Sequence, residues 1–402
     1  MRLFLSLLAL SLLSCKTSAG RQGTSLIKAD SQDDIVTAFD NEYLHHERQT
    51  AIRDIPFPSL DVSYEKITLE FTLSCPNGRC DYKDRPGDLH LLRTVDGQEQ
   101  AVEILRFMTP YGVGGTWTLD VTHLRLLLSD NVKLRLFIKT FVKKGDPGGD
   151  GWSATVRFRF TPGEPENLPV ALIPLWGSEP VWYGDPAKPS KREIRIQLPD
   201  VEFSKMFVVS FITGHGQGNM DNCAEFCDKS HTLTINGTPH ETRIWRSDCK
   251  DNPIKNQKGN WTLSREGWCP GDIVKPWWLE IPSGPVKEVS ITYEPEPYVN
   301  TCRPDSSDCS GCWLILDCTY KEHVMQNGLL VEQTRPVGCD LANPSCPCKL
   351  QQECRWDANG QALCPNNAAN CETCKISKTC EYTGGRHVEP RFLVSSYLVL
   401  TK

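Results

Sequence analysis

Three absences narrow this sequence before any motif is considered. No apolar run reaches the roughly 18 residues that a membrane-spanning helix needs, so no helical span is expected. There is no basic excess: 44 lysines and arginines face 50 aspartates and glutamates, for a net charge of −6. Nucleic acid is therefore not an expected partner, because holding phosphates requires a clustered cationic surface. Long helical periodicity is also missing. Only His123–Leu128 reads as a single turn, which argues against helical and alternating folds. What remains is ordinary globular material, 39% hydrophobic and 23% charged, and this excludes wholesale disorder. A chain of 402 residues can bury a sizeable core and suggests two or three domains.

The chain is rich in cysteine, with 19 residues, which points to an oxidising compartment. The N-terminus agrees. Arg2, the apolar stretch Leu3 to Leu13 and Ser14-Cys15 form a signal peptide over residues 1–15, too short to act as an anchor. Leu12-Leu13-Ser14-Cys15 resembles a bacterial lipobox, whose cysteine is acylated and becomes the new N-terminus. An ordinary signal cleaved nearby is the alternative. Removing Cys15 leaves an even number of cysteines, which favours the lipobox. The expected location is the outer membrane or cell surface, otherwise the periplasm or medium. Residues 16–30 are small and polar, as in a tether.

Beyond residue 30 the chain reads as β. Short runs rich in β-branched and aromatic residues alternate with Gly, Pro, Asn and Asp. Lys66–Leu73, Val132–Val142, Met206–Thr213 and Arg391–Leu400 are examples. Such spacing predicts β-sandwiches or jelly rolls. Thr161–Pro169 (TPGEPENLP) separates two strand-rich halves. The expected organisation is an N-terminal domain at 31–162, a linker at 163–168 and a C-terminal domain at 169–402. A segment at 301–380 carries 12 cysteines in 80 residues. It has too few apolar runs for a core of its own, so disulfides must hold it. A zinc reading of Cys371/Cys374 or Cys346/Cys348 is weaker, since no histidine sits at ligand spacing. No metal and no cofactor are expected.

Two segments stand out chemically. Cys75–Arg85 (CPNGRCDYKDR) places Asp81, Asp84 and Arg85 directly after a cysteine-bounded turn. Gly214–Cys227 (GHGQGNMDNCAEFC) places Glu225 inside a four-residue cysteine bracket, after a glycine-rich turn bearing His215. A pinned loop holds a reactive carboxylate in place, and two such loops can converge at a domain interface. The bland alternative is solvated charge beside small disulfide staples. Local bridges are plausible within Cys75/Cys80, Cys223/Cys227 and Cys249/Cys269.

These segments resemble the active-site loops of the peptide-N-glycosidase F family, amidases that remove N-linked glycans from asparagine. The resemblance continues in Arg106–Tyr111 (RFMTPY), Leu119–Thr122 (LDVT), Asn252-Pro253-Ile254, Gly259-Asn260-Trp261 and Gly267–Gly271 (GWCPG). It covers roughly 30–300 and 387–402. It implies an all-β fold of two side-by-side jelly-roll sandwiches with a disulfide-rich insertion in the second, and a site between them. It further implies Asp84 as the principal catalytic acid and Glu225 as a second acid acting through water. Arg85, Arg265 and Trp268 would line the site, and the three cysteine pairs named above would be bridges. Trp261 and Phe226 add apolar faces for sugar rings. The implied substrate is an N-linked glycoprotein or glycopeptide, and the chain is expected to be a monomer.

Two departures stand out. The strand that carries a third acid in the family reads Lys139-Thr140-Phe141 here. A lysine near two carboxylates is expected to lower their pKa values or to hold a sugar hydroxyl. His215 replaces a tryptophan; it is expected either to stack on a sugar and titrate near neutrality or to be satisfied by its own turn. Lys139 therefore leaves an alternative open, a catalytically weak or inactive glycan-binding surface lipoprotein. A copper oxygenase reading fails on ligands, because there is no His-x-His pair and His45-His46 is placed ahead of the first strands. The insertion 301–380 reads as a cap on the site, a protein contact or an ornament.

Overall fold

The computed structural model describes residues 27–28, 32–95, 98–184, 188–216, 223–282, 287–298 and 390–402, with the backbone of short strands inside 315–377. The signal peptide with Cys15, the tether apart from 27–28, and the cystine pairing of 301–380 lie outside the described residues.

The first unit contains β1 (Ile27–Lys28), β2 (Asp34–Leu44), β3 (Thr50–Phe57), β4 (Val62–Ser74), β5 (Pro86–Val95), β6 (Gln98–Met108), β7 (Gly115–Asp120), β8 (Asp130–Ile138) and β9 (Trp152–Pro162). The second contains β10 (Pro169–Trp176), β11 (Pro180–Trp182), β12 (Arg192–Gln197), β13 (Lys205–His215), β14 (Ser230–Ile235), β15 (Thr238–Arg243), β16 (Trp245–Arg246), β17 (Arg265–Glu266), β18 (Trp277–Ile281) and β19 (Glu288–Pro295). Five strands follow within the cysteine-rich segment: β20 (Ile315–Gln326), β21 (Leu329–Asp340), β22 (Arg355–Trp356), β23 (Ala362–Leu363) and β24 (Thr373–Ser377). The last strand, β25 (Arg391–Thr401), returns to the second unit.

Each unit has eight main strands, and the pairing is the same in both. One sheet runs first, eighth, third, sixth: β2-β9-β4-β7 and β10-β25-β13-β18. The other runs second, seventh, fourth, fifth: β3-β8-β5-β6 and β12-β19-β14-β15. This is jelly-roll connectivity, used twice. The cysteine-rich insertion sits between the seventh and eighth strands of the second copy. Alternation builds each core: β4 buries Ile67, Leu69, Phe71 and Leu73 on one face and turns polar residues outward.

The two copies pack through a continuous apolar interface. Val209, Phe211, Tyr397 and Val399 of the second join the core cluster of the first, beside Leu105, Phe107 and Leu124. Each fully buried side chain of this size stabilises by roughly 1.5–3 kcal/mol. Main-chain hydrogen bonds cross as well. Met108 N–H reaches Asp272 O at 3.1 Å and Gly271 N–H reaches Met108 O at 3.0 Å. Inside the interface Arg106 forms a bidentate pair with Glu103, both bonds 2.7 Å, and donates to Thr213 Oγ1 at 2.9 Å and Leu393 O at 2.7 Å. Ser395 donates to the same glutamate. Such a buried network is costly to break from one side. It holds the two units in one relative placement.

Strand ends differ from the sequence reading at one important point. Val132–Val142 was expected as one strand, but β8 ends at Ile138. Lys139 N–H turns to Pro86 O at 3.0 Å, and the Thr140 hydroxyl is captured by Asp81 at 2.8 Å. His45 and His46 are not ahead of the first strands; they follow β2.

Candidate active site

Two loops supply the acids. Asp84 lies between β4 and β5, and Glu225 between β13 and β14. Both connect the third and fourth strands of their jelly roll, so the same topological slot is used twice. Each is tied by a short disulfide, Cys75–Cys80 and Cys223–Cys227, and Cys249–Cys269 braces the region that follows.

The first loop is heavily hydrogen bonded. Pro76–Gly78 forms one 3-10 turn with Asn77 in the left-handed region. Asn77 Nδ2 donates to Asp150 at 3.0 Å. Fully buried Asp81 is the hub. It accepts from Arg85 Nε at 2.8 Å, from the Thr140 hydroxyl at 2.8 Å and from Lys83 N–H at 3.0 Å. Arg85 N–H is in turn held by Thr109 Oγ1 at 2.8 Å. Asp84 is thereby presented at the inner rim, partly buried. Burial raises its pKa above the usual carboxylate value; the Tyr111 hydroxyl, which hydrogen bonds to it, and the charges of Arg265 and Arg85 oppose this. Burial raises the Tyr111 phenol far enough that it remains a donor at any working pH. Tyr111 is positioned by the second unit. Its N–H reaches Gln257 Oε1 at 3.1 Å, and its ring lies so close to Gly259 that an added Cβ there would sit 2.4 Å from it.

The second loop depends on close backbone packing. A Cβ at Gly214 would meet Ala224 O at 1.5 Å, and Ala224 itself adopts φ 86°. Only glycine fits beneath the bracket, so the bracket lies directly on β13. Glu225 projects from it. Burial pushes its carboxyl up to about 7, against the Arg265 charge; the charge of Asp84 adds to the rise. Arg265 Nε stands 3.6 Å from Glu225 Oε1. The guanidinium is otherwise spent on Leu263 O at 2.9 Å, Ser264 O at 3.2 Å and Asn260 O at 3.4 Å. It lies 4.4 Å over Phe226 and 5.3 Å over Trp268.

Asp84 and Glu225 therefore act on each other electrostatically, and Arg265 acts on both. Tyr111 senses all three. The two acids expected from sequence converge across the interface between the sandwiches. Arg85 stays on the Asp84 side, its guanidinium 4.8 Å over the ring of exposed Phe141. Trp261 belongs to the same loop as Asn260, next to Lys255.

Several expectations need correction. Lys139 does not bring the carboxylates down: burial dominates and both are raised. Lys139 is exposed, and its charge acts instead on His215. His215 does not titrate near neutrality. Burial, with Arg391, Arg106 and Lys139 nearby, pushes it down to about 3, and its Nε2 pairs with Thr213 Oγ1 at 2.9 Å. It is a neutral histidine satisfied within its own strand. Trp268 is not an open wall for sugar. It is 2% exposed, donates to Gly214 O at 2.9 Å, and lies between Arg265 and His215. The exposed aromatic surface near the site is Phe141 and, beside Lys83, Tyr82. Tyr111 and Asp81 carry roles that residue-type reasoning did not assign. Tyr111 closes the RFMTPY motif, and Asp81 directly follows Cys80, so both were visible as sequence but not as chemistry. No group of three or more metal-ligating side chains occurs among the described residues.

Comparison with known proteins gives one consistent answer. Residues 183–316 match the model for the C-terminal part of peptide-N-glycosidase F. The chain is 30% identical over 263 residues to peptide-N(4)-(N-acetyl-β-D-glucosaminyl)asparagine amidase F of Elizabethkingia miricola, covering 61% of this chain and 71% of that one. The structure of PNGase F, a glycosylasparaginase from Flavobacterium meningosepticum, superposes with a TM-score of 0.63 at 21% identity, over 92% of this chain and 96% of that one. PNGF-II gives 0.56 at 14% identity, over 92% and 65%. The structural likenesses carry the two-sandwich fold.

Proposed function

The chain belongs to the peptide-N-glycosidase F family, and from that premise we propose that it is an amide hydrolase acting on N-linked glycans through Asp84 and Glu225. The bond is the side-chain amide between asparagine and N-acetylglucosamine. An amide is a weak electrophile, so water must be activated and the departing nitrogen must gain a proton.

The two raised acids divide that work. Glu225, with a pKa of about 7, suits a water-activating base at neutral pH, since a base is most effective when its pKa lies near the working pH. Asp84 faces the linkage, hydrogen bonded by Tyr111 and within the field of Arg85, whose guanidinium Asp81 holds. Water adds to the carbonyl carbon as Glu225 takes its proton. The oxyanion forms beside the Arg265 guanidinium, where fixed positive charge stabilises it most. Collapse breaks the C–N bond, the nitrogen takes a proton from the acid pair, and an aspartate and a glycosylamine leave. Phe141 and Trp261 offer apolar faces to the sugar.

We place the enzyme outside the cytoplasm, anchored through Cys15. The reading is supported above all by the convergence of two bridge-tied acids on Arg265. Incubation with a denatured N-glycoprotein tests it. The wild type should increase the protein's mobility and Asp84→Asn should not. Glycan binding without any mobility shift, from acid to alkaline pH, would instead make the chain a glycan-binding protein on the same fold.

A further inference from the structure

One set of buried titratable groups is left unused by this chemistry. Glu266 follows Arg265 in β17, and strand alternation turns it away from the cleft into the second sandwich. Its Oε1 lies 2.9 Å from His231 Nε2, and His231 Nδ1 lies 2.8 Å from the Tyr293 hydroxyl. All three residues are fully buried, on β17, β14 and β19. Among the described residues no lysine or arginine pairs with Glu266. Burial, aided by the Asp228 charge, pushes Glu266 up to about 9, and burial pushes His231 down to about 3. Glu266, His231 and Tyr293 form one hydrogen-bonded line from β17 through β14 to β19.

This chain abuts the catalytic loop. Glu266 N–H donates to Glu225 O at 2.9 Å. Its Cβ is one wall of the tight space at Gly214, 3.0 Å from where a Cβ would stand. Among the described residues strand β17 pairs with just the two residues of β16, too short a ladder to fix its own placement. We propose that Glu266 is a positioning residue: its contact with His231, itself held by Tyr293, anchors the two-residue strand that sets Arg265 against Glu225. The kinetic consequence rests on the amidase reading above; the structural one does not.

The test compares the full-length wild type with Glu266→Gln, Glu266→Ala and Ile196→Ala. Glutamine keeps both an N–H and a carbonyl oxygen for His231 Nε2, so kcat should stay within about threefold of wild type. Alanine should lower kcat about tenfold or more while KM moves less than about twofold, because orientation and not binding is lost. Ile196→Ala removes apolar volume from the same core at β12. It should lower the melting temperature without touching kcat, which separates positioning from mere destabilisation. A second readout is the carbon-13 titration of the Glu225 carboxyl, whose neighbours are Arg265, Asp84, Arg391 and the Gly216 amide. In Glu266→Ala it should rise above about 7, because the Arg265 charge that holds it down is displaced; in Glu266→Gln it should not move. This readout works whether or not the wild type hydrolyses, so a failure of the amidase reading shows in the wild type alone. A folded alanine variant with unchanged Glu225 titration overturns the proposal, as does a glutamine variant as impaired as alanine.

Discussion

The two acid loops occupy the same slot in two copies of one topology, yet they are built differently. The Asp84 loop is stabilised by polar contacts: Asp81 gathers Arg85, Thr140 and Lys83, and Asn77 reaches Asp150. The Glu225 loop is held by close packing, with Ala224 pressed onto Gly214 and the bracket closed over β13. The electrostatics differ in the same way. Burial raises both carboxyls: Asp84 against the Tyr111 phenol, Arg265 and Arg85, and Glu225 against Arg265, the Gly216 amide and Arg391, with the Asp84 charge adding to the rise. Similar frames thus hold two raised carboxyls, each with its own set of offsetting donors and charges.

The largest expected effect comes from Asp84. Asp84→Asn should lower kcat by about a thousandfold or more, read as released glycan, while the melting temperature barely moves. Glu225→Gln should cost about a hundredfold or more in kcat, with a pH-dependent stability signature. The folded Glu225 value of about 7 lies above 4.5, so the folded state favours the protonated form. That stability is present at low pH and is lost as pH rises from 4.5 through 7. Denaturant unfolding should therefore find Glu225→Gln more stable than wild type by on the order of 2 kcal/mol at pH 8 and nearly equal at pH 4. Equal gains at both pH values would contradict the raised Glu225 carboxyl. Tyr111→Phe removes the donor that offsets Asp84 burial and should lower kcat about tenfold, moving the acid limb of the rate profile upward. Lys139→Glu should be smallest, about threefold or less in kcat/KM, because Lys139 acts on a neutral histidine and not on the acids.

Much of this was legible beforehand for physical reasons. Strands with one buried face, such as β4 and β13, announce themselves by alternation or apolar runs. The paired cysteines around short loops marked rigid sites, and the acids beside them stood out. The sequence was less informative wherever tertiary contacts override local pattern. Thr140 leaves its strand because Asp81 captures it. Trp268 looked like a sugar platform by type, but it is buried between Arg265 and His215, a residue 53 positions earlier in the chain. Tyr111 gains its role only because Gln257 and Gly259, from the other sandwich, hold it against Asp84.

Hydrolysis of a purified N-glycopeptide in oxygen-18 water tests the central claim most directly. Attack of activated water on the side-chain amide predicts an aspartate carrying one heavy oxygen at the former glycosylation site, with the complete glycan released. An asparagine that keeps one N-acetylglucosamine, or an aspartate without the heavy oxygen, would contradict it.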